Sequence, residues 1–128
     1  MNDRRAFIVG IKSVKLSQKE KKFLRKYKPW GVILFSRNIL NLNQASKLTS
    51  SIRKILKDRN YPILIDQEGG RVNRLKNIIS FEKLTAEFFG KKYIQNLTEF
   101  KIYYKLFIDK TSFLLNKIGV NINTVPVL

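Results

Sequence analysis

The sequence predicts an α/β domain built from parallel strand–helix–strand units. Short apolar runs recur along the chain, and segments with apolar residues at helical spacing separate them. Continuous apolar runs are typical of strands covered on both faces, whereas helical spacing indicates helices with one buried side. Because strands that alternate with helices form parallel sheets, this order of elements defines the fold class. The 128 residues suffice for one domain with its own core.

Four strands are predicted from the apolar runs. Each run is short and is bounded by turn or helix signals. The four runs are "AFIVGI" (6–11), "WGVILF" (30–35), "ILI" (63–65) and "INTVPVL" (122–128). The interval after the third run is long enough for an additional loop or helix.

The first two helices are predicted from their capping residues. Ser17 is followed three residues later by Glu20, which is the pattern of a capping box, and Pro29 ends the helix that begins there. Asn43 is expected to cap the second helix, since apolar residues recur at helical spacing after it.

A long third helix is predicted over residues 98–118. Gly119 follows it, in the position just past a helix C-terminus that glycine favours. Seven residues are expected to form the packing face of this helix: Phe100, Tyr103, Tyr104, Phe107, Ile108, Leu114 and Leu115.

Polar residues follow the second and third strands at the points where these strands end. "SRN" (36–38) comes after the second strand, and "DQEGGR" (66–71) comes after the third. In parallel α/β folds the carboxyl ends of the strands lie at one edge of the sheet, and binding sites form there. The sequence therefore predicts a functional site that combines the two clusters.

The composition limits the kinds of function. Lys and Arg number 26 against 9 Asp and Glu, which gives a net charge of +17. The excess is mostly lysine scattered along the chain, and it does not favour specific nucleic-acid binding, which concentrates basic residues on one face. The chain has no cysteine, so no disulfide or thiolate metal site is expected. It has no histidine either, so any chemistry has to use carboxylates, hydroxyls, lysine or tyrosine.

No membrane association is expected from the sequence. No apolar run approaches the roughly 20 residues needed to cross a bilayer. The N-terminus also lacks the pattern of a secretion signal. We therefore expect a cytoplasmic protein.

The stretch "DQEGGRVNR" (66–74) allows four interpretations: a structural turn, a phosphate-binding loop, a metal site or a saccharide site. As a turn it would place Gly69 and Gly70 at positive φ. Its spacing matches neither glycine-rich phosphate motif, and the arginines would repel a metal ion held by Asp66 and Glu68. A carboxylate and a nearby arginine suit a sugar, because one accepts and the other donates hydrogen bonds. No cofactor is implied.

Three segments of the chain resemble glycoside hydrolase family 3. They are "GVILFSRNILNLNQASKLTSSIRK" (31–54), "YPILIDQEGGRVNRLKN" (61–77) and "LLNKIGVNINTVPVL" (114–128). The resemblance is to the bacterial β-N-acetylhexosaminidase branch, which consists of cytoplasmic enzymes that recycle peptidoglycan fragments. Residues 78–93 depart from the family pattern, since Leu84-Thr85 stands where the family usually has Leu-Pro.

The resemblance implies a TIM-type (β/α)8 barrel that releases terminal, non-reducing N-acetylglucosamine from a saccharide with retention of configuration. Asp66 and Arg74 match substrate-binding positions of the family. Four further motif positions are interpreted as supporting these two: Arg37, Asn38, Glu68 and Arg71. Glu68 is expected to pair with an arginine and to hold the turn that aims Asp66.

The resemblance also implies that residues 1–128 form the amino-terminal part of the barrel, about its first four strand–helix units. A complete barrel needs about 250 residues. The family's aspartate nucleophile and histidine acid/base belong to the later part, so no catalytic residue is expected here. Arginines beside Asp66 and Glu68 favour the charged carboxylate, whereas a proton donor has to hold its proton. The isolated chain is therefore expected to be inactive.

Two other functions remain open at this point. A half barrel leaves a strand edge and an apolar face uncovered, which favours self-association or a complementing chain. Such a half-barrel assembly module is the first alternative. The second is a basic nucleic-acid-binding protein, for which the net charge is the only support.

Overall fold

The computed structural model describes residues 4–125, so the predictions for residues 1–3 and 126–128 lie outside the described part of the chain. Four strands form one sheet in the order β1-β2-β3-β4, and each neighbouring pair is parallel. The elements are β1 (Arg5–Gly10), α1 (Gln18–Tyr27), β2 (Pro29–Leu34), α2 (Leu42–Leu56), β3 (Ile63–Ile65), α3 (Ala86–Gln95), α4 (Leu97–Lys117) and β4 (Ile122–Asn123).

The predicted α/β class is confirmed by this order of elements. The sheet is parallel and its strands alternate with helices, as in a partial α/β barrel. The long interval after β3 contains an additional helix, α3, which was one of the two alternatives left by the sequence. No helix within residues 4–125 is both long and apolar enough to cross a membrane.

The main core lies between β2 and β3 on one side and α2 and α4 on the other. Alternate strand residues point to this side, since successive side chains of a strand face opposite ways. The core cluster includes Val32 and Leu34 of β2, Ile63 and Ile65 of β3, Leu48 and Ile52 of α2, and Leu114 and Ile118 at the end of α4. Leu64 is also buried but lies outside this cluster.

The prediction that the first strand is covered on both faces is wrong. β1 alternates between exposed and partly buried residues, and Ile8 is 46% exposed. The strand pairs with β2 on one side only, so it is an edge of the four-stranded sheet within the described residues. The apolar sequence of β1 fits a strand that has neighbours on both sides, but residues 4–125 supply a neighbour on one side only.

The helix starts were predicted correctly for α1 and incorrectly for α2. Ser17 accepts a hydrogen bond from the Glu20 amide, and the Glu20 carboxylate accepts one from the Ser17 amide, which completes the capping box. In α2 the capping residue is Asn41 rather than Asn43. The Asn41 side chain accepts from the amide of Gln44 at 2.9 Å, so the first turn includes Asn43.

Only part of the predicted packing face of the long helix is buried. Gly119 follows α4 at φ +76°, as expected for a residue just past a helix end. Leu114 and Leu115 are buried and Phe107 is partly buried against the core. Phe100 is partly buried as well, whereas the three other predicted positions are exposed: Tyr103 (47%), Tyr104 (40%) and Ile108 (43%). α3 packs on the first half of α4 through an aromatic cluster around Phe89.

Tyr61 closes the core at the amino-terminal end of β3. Its ring is 1% exposed, and its hydroxyl donates a 2.7 Å hydrogen bond to the Pro29 carbonyl. Burial raises the pKa of Tyr61 to about 12, because the phenolate would lose its hydration.

We predict that Tyr61→Phe flattens the loss of stability at alkaline pH. An unfolded tyrosine ionises near 10.0, while folded Tyr61 keeps its proton up to about 12. Stability that is present below the lower pKa is therefore lost as pH rises toward the higher one. Between these values the wild type should lose roughly 2–3 kcal/mol more than Tyr61→Phe in denaturant unfolding.

Near neutral pH the same variant should be less stable by about 1 kcal/mol, because the Pro29 carbonyl loses its donor. Tyr93→Phe is the matched control, since Tyr93 is 56% exposed on α3. Equal alkaline profiles for wild type and Tyr61→Phe would contradict this account of Tyr61.

Candidate functional site

Asp66 follows β3 directly, and its carboxylate has two partners. Its Oδ1 accepts a hydrogen bond from the hydroxyl of Thr124, just past β4. Its Oδ2 lies 3.5 Å from an Nη of Arg74. Both charged side chains keep access to solvent, at 28% for Asp66 and 26% for Arg74. A hydrogen-bond acceptor and a donor therefore stand side by side at the carboxyl end of the sheet.

The ring of Phe35 holds two guanidinium groups at this edge. The Cζ atom of Arg37 lies 4.5 Å and that of Arg74 lies 5.2 Å from the ring centroid, within the range of cation–π attraction. The hydroxyl of Ser36 also donates to the Asn73 carbonyl at 3.4 Å. The polar residues after β2 and β3 thus meet, which confirms that the two clusters share one end of the sheet.

Gln67 fixes the turn that carries Arg74. Its side chain is buried, and Oε1 accepts hydrogen bonds from the amides of Arg74 (2.8 Å) and Leu75 (3.1 Å). Its Nε2 donates to Oδ1 of Asn73 at 3.0 Å, and Asn73 in turn donates to the Ile79 carbonyl. Each buried amide is therefore satisfied by a backbone or side-chain partner, as buried polar groups require.

Two asparagines of the β4 segment fix both ends of β3. Asn121 accepts from the amide of Ile63 at 2.8 Å, where β3 begins. Asn123 accepts from the amide of Gln67 at 3.0 Å, immediately after Asp66. These contacts hold the backbone on either side of Asp66, so β4 positions the carboxylate that β3 presents.

Asn38 ties the turn after β2 to the segment after β1. It is fully buried, and its Nδ2 donates to the carbonyls of Ile11 (3.1 Å) and Ser13 (2.9 Å). Its Oδ1 accepts from the amide of Phe35 at 2.9 Å. Arg37 donates through Nε to the same Ile11 carbonyl at 3.1 Å. These bonds fix the backbone that carries the Phe35 ring.

The expected ion pair between Glu68 and an arginine is not formed. Glu68 and Arg71 are both exposed, and neither makes an ion pair with any residue from 4 to 125. Arg74 is instead paired with Asp66. The ion pair is absent because Glu68 is exposed to solvent. Its neighbour Gln67 is buried instead, and the Gln67 side chain makes the hydrogen bonds that fix the turn.

The two glycines of the turn have positive φ, +89° at Gly69 and +57° at Gly70, as the sequence predicted. A Cβ at Gly69 would lie 2.4 Å from the Leu84 carbonyl oxygen, and one at Gly70 would lie 2.8 Å from Cγ2 of Thr85. Thr85 also caps α3 by accepting from the amide of Phe88 at 3.0 Å. Leu84 and Thr85, which lie in the segment that departs from the family pattern (78–93), therefore pack directly against the turn.

Sequence reasoning missed the residues that organise the site without carrying charge. They are Phe35, Gln67, Asn73, Asn123 and Thr124. A signal existed for one of them, Asn123: the alternation Asn121-Ile122-Asn123 puts both amides on one face of a strand. Among residues 4–125, no group of three or more acidic, histidine or cysteine side chains is placed to hold a metal ion.

Similar curated proteins include bacterial β-hexosaminidases. The chain is 34% identical over 90 residues to one from Xanthomonas axonopodis pv. citri, covering 70% of this chain and 26% of the relative. It is 43% identical over 81 residues to one from Actinobacillus pleuropneumoniae serotype 5b, covering 62% of this chain and 22% of the relative. The chain thus spans about a quarter of the length of these relatives. No protein-family model matches it.

Two solved structures, a complex with a glucosamine derivative and an enzyme named β-N-acetylglucosaminidase, are also similar to the chain. NagZ from Neisseria gonorrhoeae in complex with N-trifluoroacetyl-D-glucosamine matches 59% of this chain and 21% of its own, with 34% identity and a TM-score of 0.51. A family 3 β-N-acetylglucosaminidase from Paenibacillus sp. FPU-7 covers 94% of this chain and 22% of its own, with a TM-score of 0.63. Its identity of 23% supports the fold alone.

These matches confirm the resemblance to glycoside hydrolase family 3. Within that family, the chain is similar to part of a β-N-acetylglucosaminidase, and its relatives are glycosidases.

We predict opposite effects of alanine at two glycines. Gly69→Ala should destabilise the chain by about 2 kcal/mol or more, because the new Cβ meets a backbone carbonyl at a positive φ. Gly90→Ala is the matched control: Gly90 lies inside α3, and its Cβ would meet nothing within 4 Å. It should stabilise the chain by about 0.5–1 kcal/mol through helix propensity. Denaturant unfolding measures both, and a tolerated Gly69→Ala would refute the packing described for the turn.

Proposed function

We propose that residues 1–128 are the amino-terminal portion of a TIM-type (β/α)8 barrel of glycoside hydrolase family 3. The complete protein would remove terminal, non-reducing β-N-acetylglucosamine from peptidoglycan fragments in the cytoplasm, with retention of configuration. The observation that carries the proposal is Asp66 beside Arg74 at the carboxyl end of a parallel sheet. The relatives named β-hexosaminidase and the NagZ complex with a glucosamine derivative support it.

In this proposal Asp66 and Arg74 hold the sugar. A carboxylate offers about four acceptor positions, and Thr124 and Arg74 leave some of them open to sugar hydroxyls. The Arg74 side chain is 26% exposed, and its guanidinium carries five N–H donors, so the contact with Asp66 leaves donors for a sugar. The pair therefore supplies both acceptors and donors to a ring with several hydroxyls.

Arg37 and Asn38 act indirectly in this scheme. Their hydrogen bonds to the Ile11 carbonyl hold the Phe35 ring, against which Arg74 lies. Glu68 and Arg71 are exposed on the same turn. In this proposal they lie at the rim of the site and do not support Asp66.

We expect the 128-residue chain to hold the sugar without cleaving it. A retaining glycosidase needs a nucleophile and a proton donor. The family's proton donor is a histidine, and this chain has none. Asp66 is an ion-pair partner of Arg74, which suits a role in accepting hydrogen bonds from the sugar. Release of a chromogenic aglycone by the pure chain that Asp66→Ala abolishes would overturn this expectation.

We predict that Asp66→Asn weakens binding of N-acetylglucosamine by about tenfold or more, because charged acceptors make the stronger hydrogen bonds. Saturation-transfer NMR, which detects weak sugar binding, measures the dissociation constant. Asp109→Asn is the control, because Asp109 is an exposed carboxylate on α4 that pairs with Lys105. Equal affinity of wild type and Asp66→Asn, or equal loss in both variants, would refute the role of Asp66.

A second candidate function, assembly with another chain, is favoured by the surface of α3 and α4. Several large apolar side chains there are more than half exposed: Ile94 (85%), Leu106 (60%), Ile102 (56%), Tyr93 (56%) and Phe113 (53%). Exposed apolar surface of this kind favours contact with another chain. Sedimentation at rising concentration tests this candidate, and a monomer at all concentrations would exclude self-association.

A further inference from the structure

A cavity of about 610 Å³ lies at the amino ends of the strands, at the opposite end of the sheet from Asp66. Its wall includes Arg4, which precedes β1, and Tyr61, which precedes β3. The C-terminal ends of α1 and α2 complete the wall. The cavity is therefore separate from the proposed saccharide site, and no residue that forms that site takes part in it.

The charged side chains around this cavity are mostly cations. Arg4, Arg25, Lys28 and Lys57 line it, together with one carboxylate, Asp58. Among the lining residues that the structure describes, four positive charges and one negative charge leave a net charge of +3. Asp58 forms an ion pair with Arg4, and it is the one carboxylate among those described residues. Such an excess in a concave surface attracts anions.

The backbone conformation of the two lysines is unusual. Lys28 (φ +45°) and Lys57 (φ +53°) are the non-glycine residues with positive φ within residues 4–125. Each follows the last turn of a helix, where glycine is the favoured residue because it adopts this conformation without strain. Both lysines line the same cavity.

Complementing the helix dipoles does not by itself account for these lysines. Cations near a helix C-terminus are favourable, but the last turns already contain Arg25 and Lys26 in α1 and Arg53 and Lys54 in α2. A lysine at each of these strained positions therefore adds a positive charge to a helix end that already has two. The shared feature of Lys28 and Lys57 is the cavity that they line.

We propose that this cavity binds an anion that carries two phosphate groups. One phosphate group carries about −1.5 to −2 charges near pH 7, so two such groups balance a net charge of +3. The arginine guanidinium is suited to paired hydrogen bonds with phosphate oxygens, and lysine adds mobile positive charge. The partly buried apolar side chains of Ile55 and Leu56 complete the wall, where they would contact an organic group attached to the phosphates.

The test is calorimetric titration of the full 128-residue chain with inorganic pyrophosphate. The wild type should show saturable binding at one site. The double variant Lys28→Gly/Lys57→Gly should bind at least about tenfold more weakly, since two cations leave the site. Glycine suits the positive φ at both positions, so the variant should fold at least as well as the wild type. Loss of affinity then reports on the site and not on unfolding.

The control is Lys19→Gln/Lys101→Gln, which removes the same two charges from exposed positions on α1 and α4 outside the cavity. Its affinity should change by less than about twofold. A nucleoside diphosphate titrated in parallel distinguishes the source of the phosphates, and tighter binding than pyrophosphate means that the apolar wall takes part. Unsaturable binding, or equal loss in the two double variants, would show only diffuse attraction to a basic surface and would overturn the proposal.

Discussion

The buried amide of Gln67 is the interaction on which the site depends. It accepts from two backbone amides of the turn that carries Arg74 and donates to Asn73, while Asn123 holds its backbone from β4. A buried amide left without partners costs about 1–3 kcal/mol, so these bonds favour a single conformation of the turn. The exposed charges Asp66 and Arg74 are thus positioned by neutral groups beneath them. They do not rely on ion pairs at the surface, which contribute little stability.

The two ends of the sheet have different chemistry. The carboxyl ends of β2 and β3 present one carboxylate with two arginines on an aromatic ring. The amino ends of β1 and β3 border a cavity with a net positive lining. Parallel strands allow this separation, because every strand sends its carboxyl end to the same edge. A sugar and a phosphorylated anion could therefore be bound by one chain without competing for the same residues.

The features that the sequence predicted correctly are those decided by residues close together along the chain. The alternation of apolar runs with amphipathic segments predicted the α/β class, and Ser17 with Glu20 predicted a cap made within four residues. The turn interpretation placed Gly69 and Gly70 at positive φ, and Gly119 was expected just past a helix end; all three have positive φ. The clusters after β2 and β3 were expected to meet because parallel topology requires it.

The errors arose where distant residues decide the outcome. The exposure of β1 depends on a neighbouring strand that the described residues do not supply, and its apolar sequence could not reveal this. Glu68 was expected to hold the turn because its charge suggested a partner, yet the neutral Gln67 does so through buried contacts with Asn73 and Asn123. Amide side chains give no charge signal in a sequence. Asn73 is only six residues from Gln67, whereas Asn123 lies 56 residues away.

If the turn from Asp66 to Arg74 is a saccharide site, a crystal structure of the chain soaked with N-acetylglucosamine should show the sugar there. We expect sugar hydroxyls within about 2.6–3.2 Å of the Asp66 carboxylate and the Arg74 guanidinium. We also expect Gln67 to keep its bonds to the turn when the sugar is bound. A sugar found elsewhere on the chain, with Asp66 still bound only to Thr124 and Arg74, would contradict this proposal.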